Sequence, residues 1–205
     1  MEELDLLKKS WNNTNNFDQI SESEIYTMLH QKSSSVVRWI VIISLIELLL
    51  WTGTSLLFNS DAAFAKLKIA KIDVYILVSN VIHYSVVIGF IIIFYYNYKK
   101  ISVVRSTRNL MNSILRTRKT VQYYIWYNLG IIALSFVFGI VLVFNLDPTI
   151  SKLNQNINFR NGFIIGFTAI AALVTTGFWM LYKLVYGRLL KKLLNNYNEL
   201  KKIDL

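Results

Sequence analysis

The sequence predicts an all-α integral membrane protein, a four-helix bundle with helical cytoplasmic extensions. Three observations carry this: an apolar composition, four apolar runs of span length, and basic residues gathered on one side. Of 205 residues, 54% are hydrophobic and only 17% charged, and the mean hydropathy is +0.42. A soluble domain of this size cannot bury so much apolar surface, so lipid must solvate the excess.

The runs cover residues 36–58, 74–97, 123–144 and 162–185. About 20 helical residues cross a hydrocarbon core of roughly 30 Å, at about 1.5 Å each. None of the runs alternates as a barrel strand would; all are apolar on every face. Helices satisfy their own backbone in lipid, and four of them make a bundle.

The net charge of +10 would suit a nucleic-acid partner, but its placement points to topology instead. Seventeen Lys and Arg residues fall on the side of the two termini and the central loop, and five fall in the outer loops. By the positive-inside rule both termini are expected in the cytoplasm. The first apolar run starts only at Val36, behind an acidic, Asn-rich head with no small-residue cleavage site, so the first span is expected to stay as an anchor.

Residues 1–35 form the predicted cytoplasmic head, with two short helices around the Asn-rich joint at residues 12–16. Leu4, Leu7 and Trp11 share one helical face. Ser21 is placed to cap a second helix, Glu24 to complete a capping box, and Ile20 to staple against Ile25. Ile25 and Leu29, with Met28 beside them, continue an apolar stripe. The candidate partner-binding residues are therefore Leu4, Leu7, Trp11, Ile25 and Leu29. Six of the twelve acidic residues lie in this head.

The central loop, residues 98–122, lacks Gly and Pro and is expected to extend the second and third spans as helix. Ile101, Val104, Arg108, Met111 and Leu115 recur there at three and four residues. Arg105, Arg108, Arg116, Arg118 and Lys119 suit either anionic lipid or the topology signal alone. Beyond the bundle of residues 36–185, residues 186–205 form an amphipathic helix. Its stripe of Leu190, Leu193, Tyr197 and Leu200 is too short to be stable alone and requires a neighbour. The central loop, the head, a second copy or the lipid surface would each serve. Of the outer loops, residues 62–71 suit an interfacial helix, and Asp147 before Pro148 starts a helix.

Glu47 is the only acidic residue inside a span. It sits about 12 Å in from Trp39, if Trp39 marks the boundary. An ionised group at the centre of a span costs about 2.5–3.5 kcal/mol, which turns it towards the bundle interior. Asn128, Thr175 and Thr176 fall at similar depth, with Asn80 and His83 deeper, so these six make a candidate intramembrane polar layer. Such a layer is either a proton or cation site or packing glue that fixes helix register. Gly162 with Gly166, and more loosely Ser135 with Gly139 and Ala172 with Thr176, have helix-packing spacing, either within the bundle or in a homodimer.

Catalytic signals are absent. With no cysteine and only His30 and His83, the usual zinc and thiolate sites cannot form. No phosphate-cradling glycine loop or Gly-x-Ser-x-Gly elbow occurs. The expectation is a non-enzymatic protein with no cofactor.

The segments Glu3-Leu4-Asp5-Leu6-Leu7-Lys8-Lys9-Ser10-Trp11, Glu24-Ile25-Tyr26 and Lys32-Ser33-Ser34-Ser35-Val36-Val37-Arg38-Trp39 resemble small four-span membrane proteins of Bacteroidota. Those proteins accompany extracytoplasmic-function sigma factors, and some carry a carotene-oxygenase label, whose four-histidine iron chemistry two histidines contradict. The resemblance covers the head and first span, and the rest in outline. It implies an anti-sigma-like tether, with the head holding a sigma factor at the membrane through its apolar residues. The head is shorter than known anti-sigma domains and has no His and Cys cluster. The alternative is a small transporter or channel-like bundle built on Glu47 and His83.

Overall fold

A computed structural model describes residues 21–57, 72–146 and 157–203. Four helices account for nearly all of them: α1 (Glu22–Leu57), α2 (Ile72–Val103), α3 (Thr107–Leu146) and α4 (Ile157–Ile203). All four are long and apolar enough to cross a membrane, which establishes an all-α membrane bundle. Consecutive helices are neighbours, α4 closes the ring against α1, and α1 and α3 face each other across the diagonal.

The start of α1 follows from its sequence. The Ser21 hydroxyl accepts from the Glu24 amide at 3.2 Å, and the Glu24 carboxylate accepts from the Ser21 amide at 3.0 Å. Two otherwise orphaned donors are thus satisfied reciprocally. From that cap the helix runs into the first span without a break, because nothing between Glu22 and Leu57 stops it. Residues 1–20 lie outside the described residues, and with them the Leu4, Leu7 and Trp11 face and the Ile20 staple. So do the expected interfacial helix at 62–71 and the Asp147–Pro148 start.

All four helices exceed a span. At about 1.5 Å per residue, α4 alone is about 70 Å long, more than twice a hydrocarbon core. The excess lies on the side of the termini, and the core occupies it together with the adjoining ends of the spans. Val37, Ile40, Ile101, Leu110, Ile114, Val121, Leu193 and Leu200 are fully buried, as is Leu29 but for 2%. By contrast, between 0% and 17% of the most apolar stretch of each helix is buried against the others. Solvent accounts for the difference. An apolar side chain leaving water gains about 1.5–3 kcal/mol, whereas one leaving lipid tails gains no such term.

Extensions of the second and third spans are present as predicted, and only Val104–Ser106 separates α2 from α3. Ser106 O accepts from Leu110 N at 2.9 Å, and the Tyr26 hydroxyl of α1 donates to Val104 O at 3.0 Å, fastening the corner. The buried stripe of α3 differs from the expected one. Leu110, Ser113, Ile114, Thr117 and Val121 face the core, Met111 is half-buried, and Leu115 and Arg108 are exposed. Hydroxyls hid this face from the sequence pattern. Ser113 donates to Asn109 O and Thr117 to Ser113 O, both at 2.8 Å, so each enters the core with its polar group satisfied by the preceding turn.

The stripe of Leu190, Leu193, Tyr197 and Leu200 is buried or packed on the core. Its neighbours are in the same chain: α4 packs on α1 and α3, and Asn196 Nδ2 donates to Ser33 Oγ at 3.0 Å.

Candidate functional site: a carboxylate bound by three tyrosines

Glu47 is drawn into the bundle by phenols rather than by the amides and imidazole expected. Tyr124 of α3 donates to Oε2 at 2.9 Å and Tyr186 of α4 at 3.1 Å, while Tyr182 of α4 donates to Oε1. An ionised carboxylate is acceptor-only, with about four lone-pair sites, and three donors nearly fill them. One acidic side chain thereby ties α1 to both α3 and α4.

Local sequence explains how the donors converge. Tyr182 and Tyr186 are one turn apart, on one face of α4, with rings stacked at 5.9 Å. Tyr124 meets Tyr186 edge-on at 6.0 Å, and Phe90 and Phe94 of α2 lie edge-on against Tyr124, each at 5.5 Å. All three tyrosines are buried, at 1%, 7% and 1% exposure for Tyr124, Tyr182 and Tyr186. Each ring packs apolar while its tip finds an acceptor, the arrangement a buried tyrosine requires.

Of the six residues expected in a polar layer, Glu47 and Asn128 belong to this cluster. Asn128 is buried and donates to Tyr124 O at 3.0 Å, one turn back along α3. His83 stands one ring away. Its Nδ1 lies 3.3 Å from the Tyr127 hydroxyl, its ring stacks on Tyr127 at 5.8 Å, and Tyr127 in turn touches Phe90 at 6.0 Å. Asn80 is exposed. Thr175 and Thr176 line a separate cavity of ≈ 380 Å³ with Trp126, Leu129, Gly130, Ala133 and Trp179.

Sequence reasoning missed Tyr124, Tyr182 and Tyr186. The tyrosine pair at four-residue spacing is a signal of donors, but residues 124, 182 and 186 fall at or beyond the ends of the apolar runs 123–144 and 162–185, which hides their meeting with a carboxylate deep in the first run. Beside the cluster, a cavity of ≈ 470 Å³ opens between α1 and α4, walled by residues such as Ile46, Leu50, Trp51, Phe178 and Leu181.

The candidate partner and lipid residues are also placed. Leu29 is buried in the chain's own core and Ile25 packs against it, so neither stands free as an anchor. Arg105, Arg108, Arg116 and Lys119 are exposed; Lys119 Nζ lies 5.8 Å from the Tyr123 ring centroid. Arg118 is half-buried, with an Nε that lacks a hydrogen-bond partner. Arg105 also lines a cavity of ≈ 390 Å³ with Tyr26, Thr27, His30, Ser102 and Val103. Gly162 and Gly166 meet no other described residue within 4 Å of a built Cβ, so within the described residues their faces are open.

Residues 23–205 match the model of one family, described as a domain of unknown function (DUF8845), and the chain belongs to that family. No curated protein and no solved structure matches the chain.

Proposed function

We propose that this DUF8845 member is a non-enzymatic regulatory or scaffolding protein of the bacterial inner membrane. On this reading both termini are cytoplasmic, and a cytoplasmic protein binds the helical platform that the four spans hold at the membrane. The carrying observation is the position of the core. Packing is concentrated in the extensions and the adjoining ends of the spans, where Leu193 and Leu200 of α4, Ile101 and Leu110 at the α2–α3 corner and Val37 and Ile40 of α1 are fully buried, and it is sparse in the most apolar stretch of each helix. A bundle built to move a substrate would place its ordered polar groups along a path in the membrane. Here Glu47 is occupied by three tyrosines and His83 lies beside Tyr127. The transporter-like alternative therefore has less support. The orientation rests on the seventeen-to-five bias of basic residues.

An extracytoplasmic-function sigma factor is the specific partner we propose, from the resemblance of the head and first span. With Leu29 and Ile25 engaged in the core, the apolar anchors for it are Leu4, Leu7 and Trp11, joined by Met28, which is 47% exposed on α1. Aromatic and aliphatic anchors of this kind carry most of the energy of a helix-in-groove contact. The test is co-purification in mild detergent of the full chain beside a variant lacking residues 1–20, which leaves the Ser21 cap and the core intact. A cytoplasmic protein recovered with the full chain and lost with the deletion is expected. Recovery of no cytoplasmic protein with either would overturn the reading.

A further inference from the structure

The cavity between α1 and α4 is an unusual surface because the carboxylate and all three hydroxyls that line it are already engaged. Glu47 accepts from three phenols, Tyr182 and Tyr186 donate to it, and the Thr54 hydroxyl is turned back onto the carbonyls of Leu50 and Trp51. What remains for an occupant, apart from the Trp51 indole, is hydrocarbon contact with residues such as Ile46, Leu50, Phe178 and Leu181. The volume of ≈ 470 Å³ falls within the about 300–1,000 Å³ typical of small-molecule sites. Both walls belong to membrane-spanning helices, so the groove meets lipid chains.

The mouth of the groove on the side of the termini is marked by two residues. Trp39 precedes Ile46 by seven residues on α1, and Arg188 follows Leu181 by seven on α4. A seven-residue step is two turns, about 10.5 Å, and returns to the same face within about 20°. The two helices keep a fixed antiparallel register there. Ser33 pairs with Asn196 and Glu47 with Tyr182, a step of fourteen residues on each helix. That register puts Trp39 and Arg188 at nearly one level. Trp39 is 55% exposed and Arg188 is exposed. An exposed tryptophan and an exposed guanidinium at one level are the pairing expected where headgroups begin, and guanidinium suits a phosphate.

We propose that the α1–α4 groove holds one acyl chain of an anionic phospholipid from the leaflet on the side of the termini, with its phosphate at Arg188. The groove does not depend on a cytoplasmic partner. The experiment is native mass spectrometry of the full chain in mild detergent, titrated with phosphatidylglycerol or with phosphatidylethanolamine of the same acyl chains. The first phosphatidylglycerol binds more tightly. Arg188→Gln weakens it about fivefold, the effect of one basic residue at an anionic surface, and weakens phosphatidylethanolamine less, because that lipid's own ammonium already offsets its phosphate, while Arg188→Lys keeps most of the preference. Leu181→Trp, at a position 58% exposed and so free of core strain, fills the groove and weakens both lipids. Equal binding of the two lipids, indifference to Arg188→Gln, or indifference to Leu181→Trp would overturn the proposal. A dimer in place of lipid adducts would also overturn it, by assigning the groove to a second copy.

Discussion

Asn196, near the end of α4, donates its side-chain amide to the hydroxyl of Ser33 on α1 at 3.0 Å, with both residues buried. Fourteen residues away on each helix, Tyr182 donates to Glu47. The α1–α4 pair is thus pinned at two levels about 21 Å apart along the axis. Apolar contacts alone fix such a register weakly, since a slide by one turn replaces one aliphatic contact with another. Two polar contacts at matched separation cannot both survive that slide.

The two pins differ in strength. Truncating Glu47 to Ala leaves three phenols without their acceptor, at about 1–3 kcal/mol for each buried donor left unpaired. Tyr124→Phe removes one donor and keeps the ring, and costs about 0.6 kcal/mol, the mean for hydrogen bonds in membrane bundles. Thermal unfolding in detergent is expected to rank Glu47→Ala well below Glu47→Gln, and Glu47→Gln below Tyr124→Phe. Equal midpoints for the Ala and Phe variants would mean that the phenols find other acceptors.

At the other pin, Ser33→Ala and Asn196→Ala are expected to couple. A double-mutant cycle on unfolding free energy is predicted to give about 1 kcal/mol, the net value of one intramolecular hydrogen bond. Additive effects would show that the contact contributes nothing to stability.

If the core lies in the extensions, truncations there and in the spans differ sharply. Leu193→Ala, at a fully buried position, is expected to cost about 2–5 kcal/mol. Leu173→Ala, at a position 74% exposed on the same helix, stays within about 0.5 kcal/mol. Chemical unfolding of the two variants in one detergent checks this directly.

The Ser21 cap is testable by Ser21→Ala, which removes the acceptor of the Glu24 amide. Loss of an N-cap costs about 0.5–2 kcal/mol. Hydrogen exchange is expected to rise in the first turn of α1 and to stay unchanged beyond Leu29.

Much of the fold was legible because its signals are local. Span length and hydropathy located all four helices, and the Ser21–Glu24 spacing named a cap that forms as expected. The stripe at Leu190, Leu193, Tyr197 and Leu200 was visible for the same reason, although the sequence left its neighbour open. Less legible were faces whose burial depends on satisfied hydroxyls. Ser113 and Thr117 look polar in a periodicity count, yet each bonds its own helix and packs inward, which turned the predicted α3 stripe by about one residue. The site was half legible. A lone carboxylate in a span is conspicuous, whereas its donors are tyrosines that count as apolar, brought together from α3 and α4 only by the fold. Span boundaries alone put Thr175 and Thr176 with Glu47; the observed register pairs Glu47 with Tyr182, six to seven residues further along α4, and leaves the threonines in another cavity.

The central claim is that the protein works through the platform its spans hold at the membrane surface. Site-specific photocrosslinking in living cells tests it most directly, with the probe at Met28 or Arg108 on the extensions and at Leu173 in a span, all three on exposed positions. A discrete adduct with a cytoplasmic protein from Met28 or Arg108, and none from Leu173, is the predicted result. Protein adducts from Leu173 alone, with none from the extensions, would contradict it.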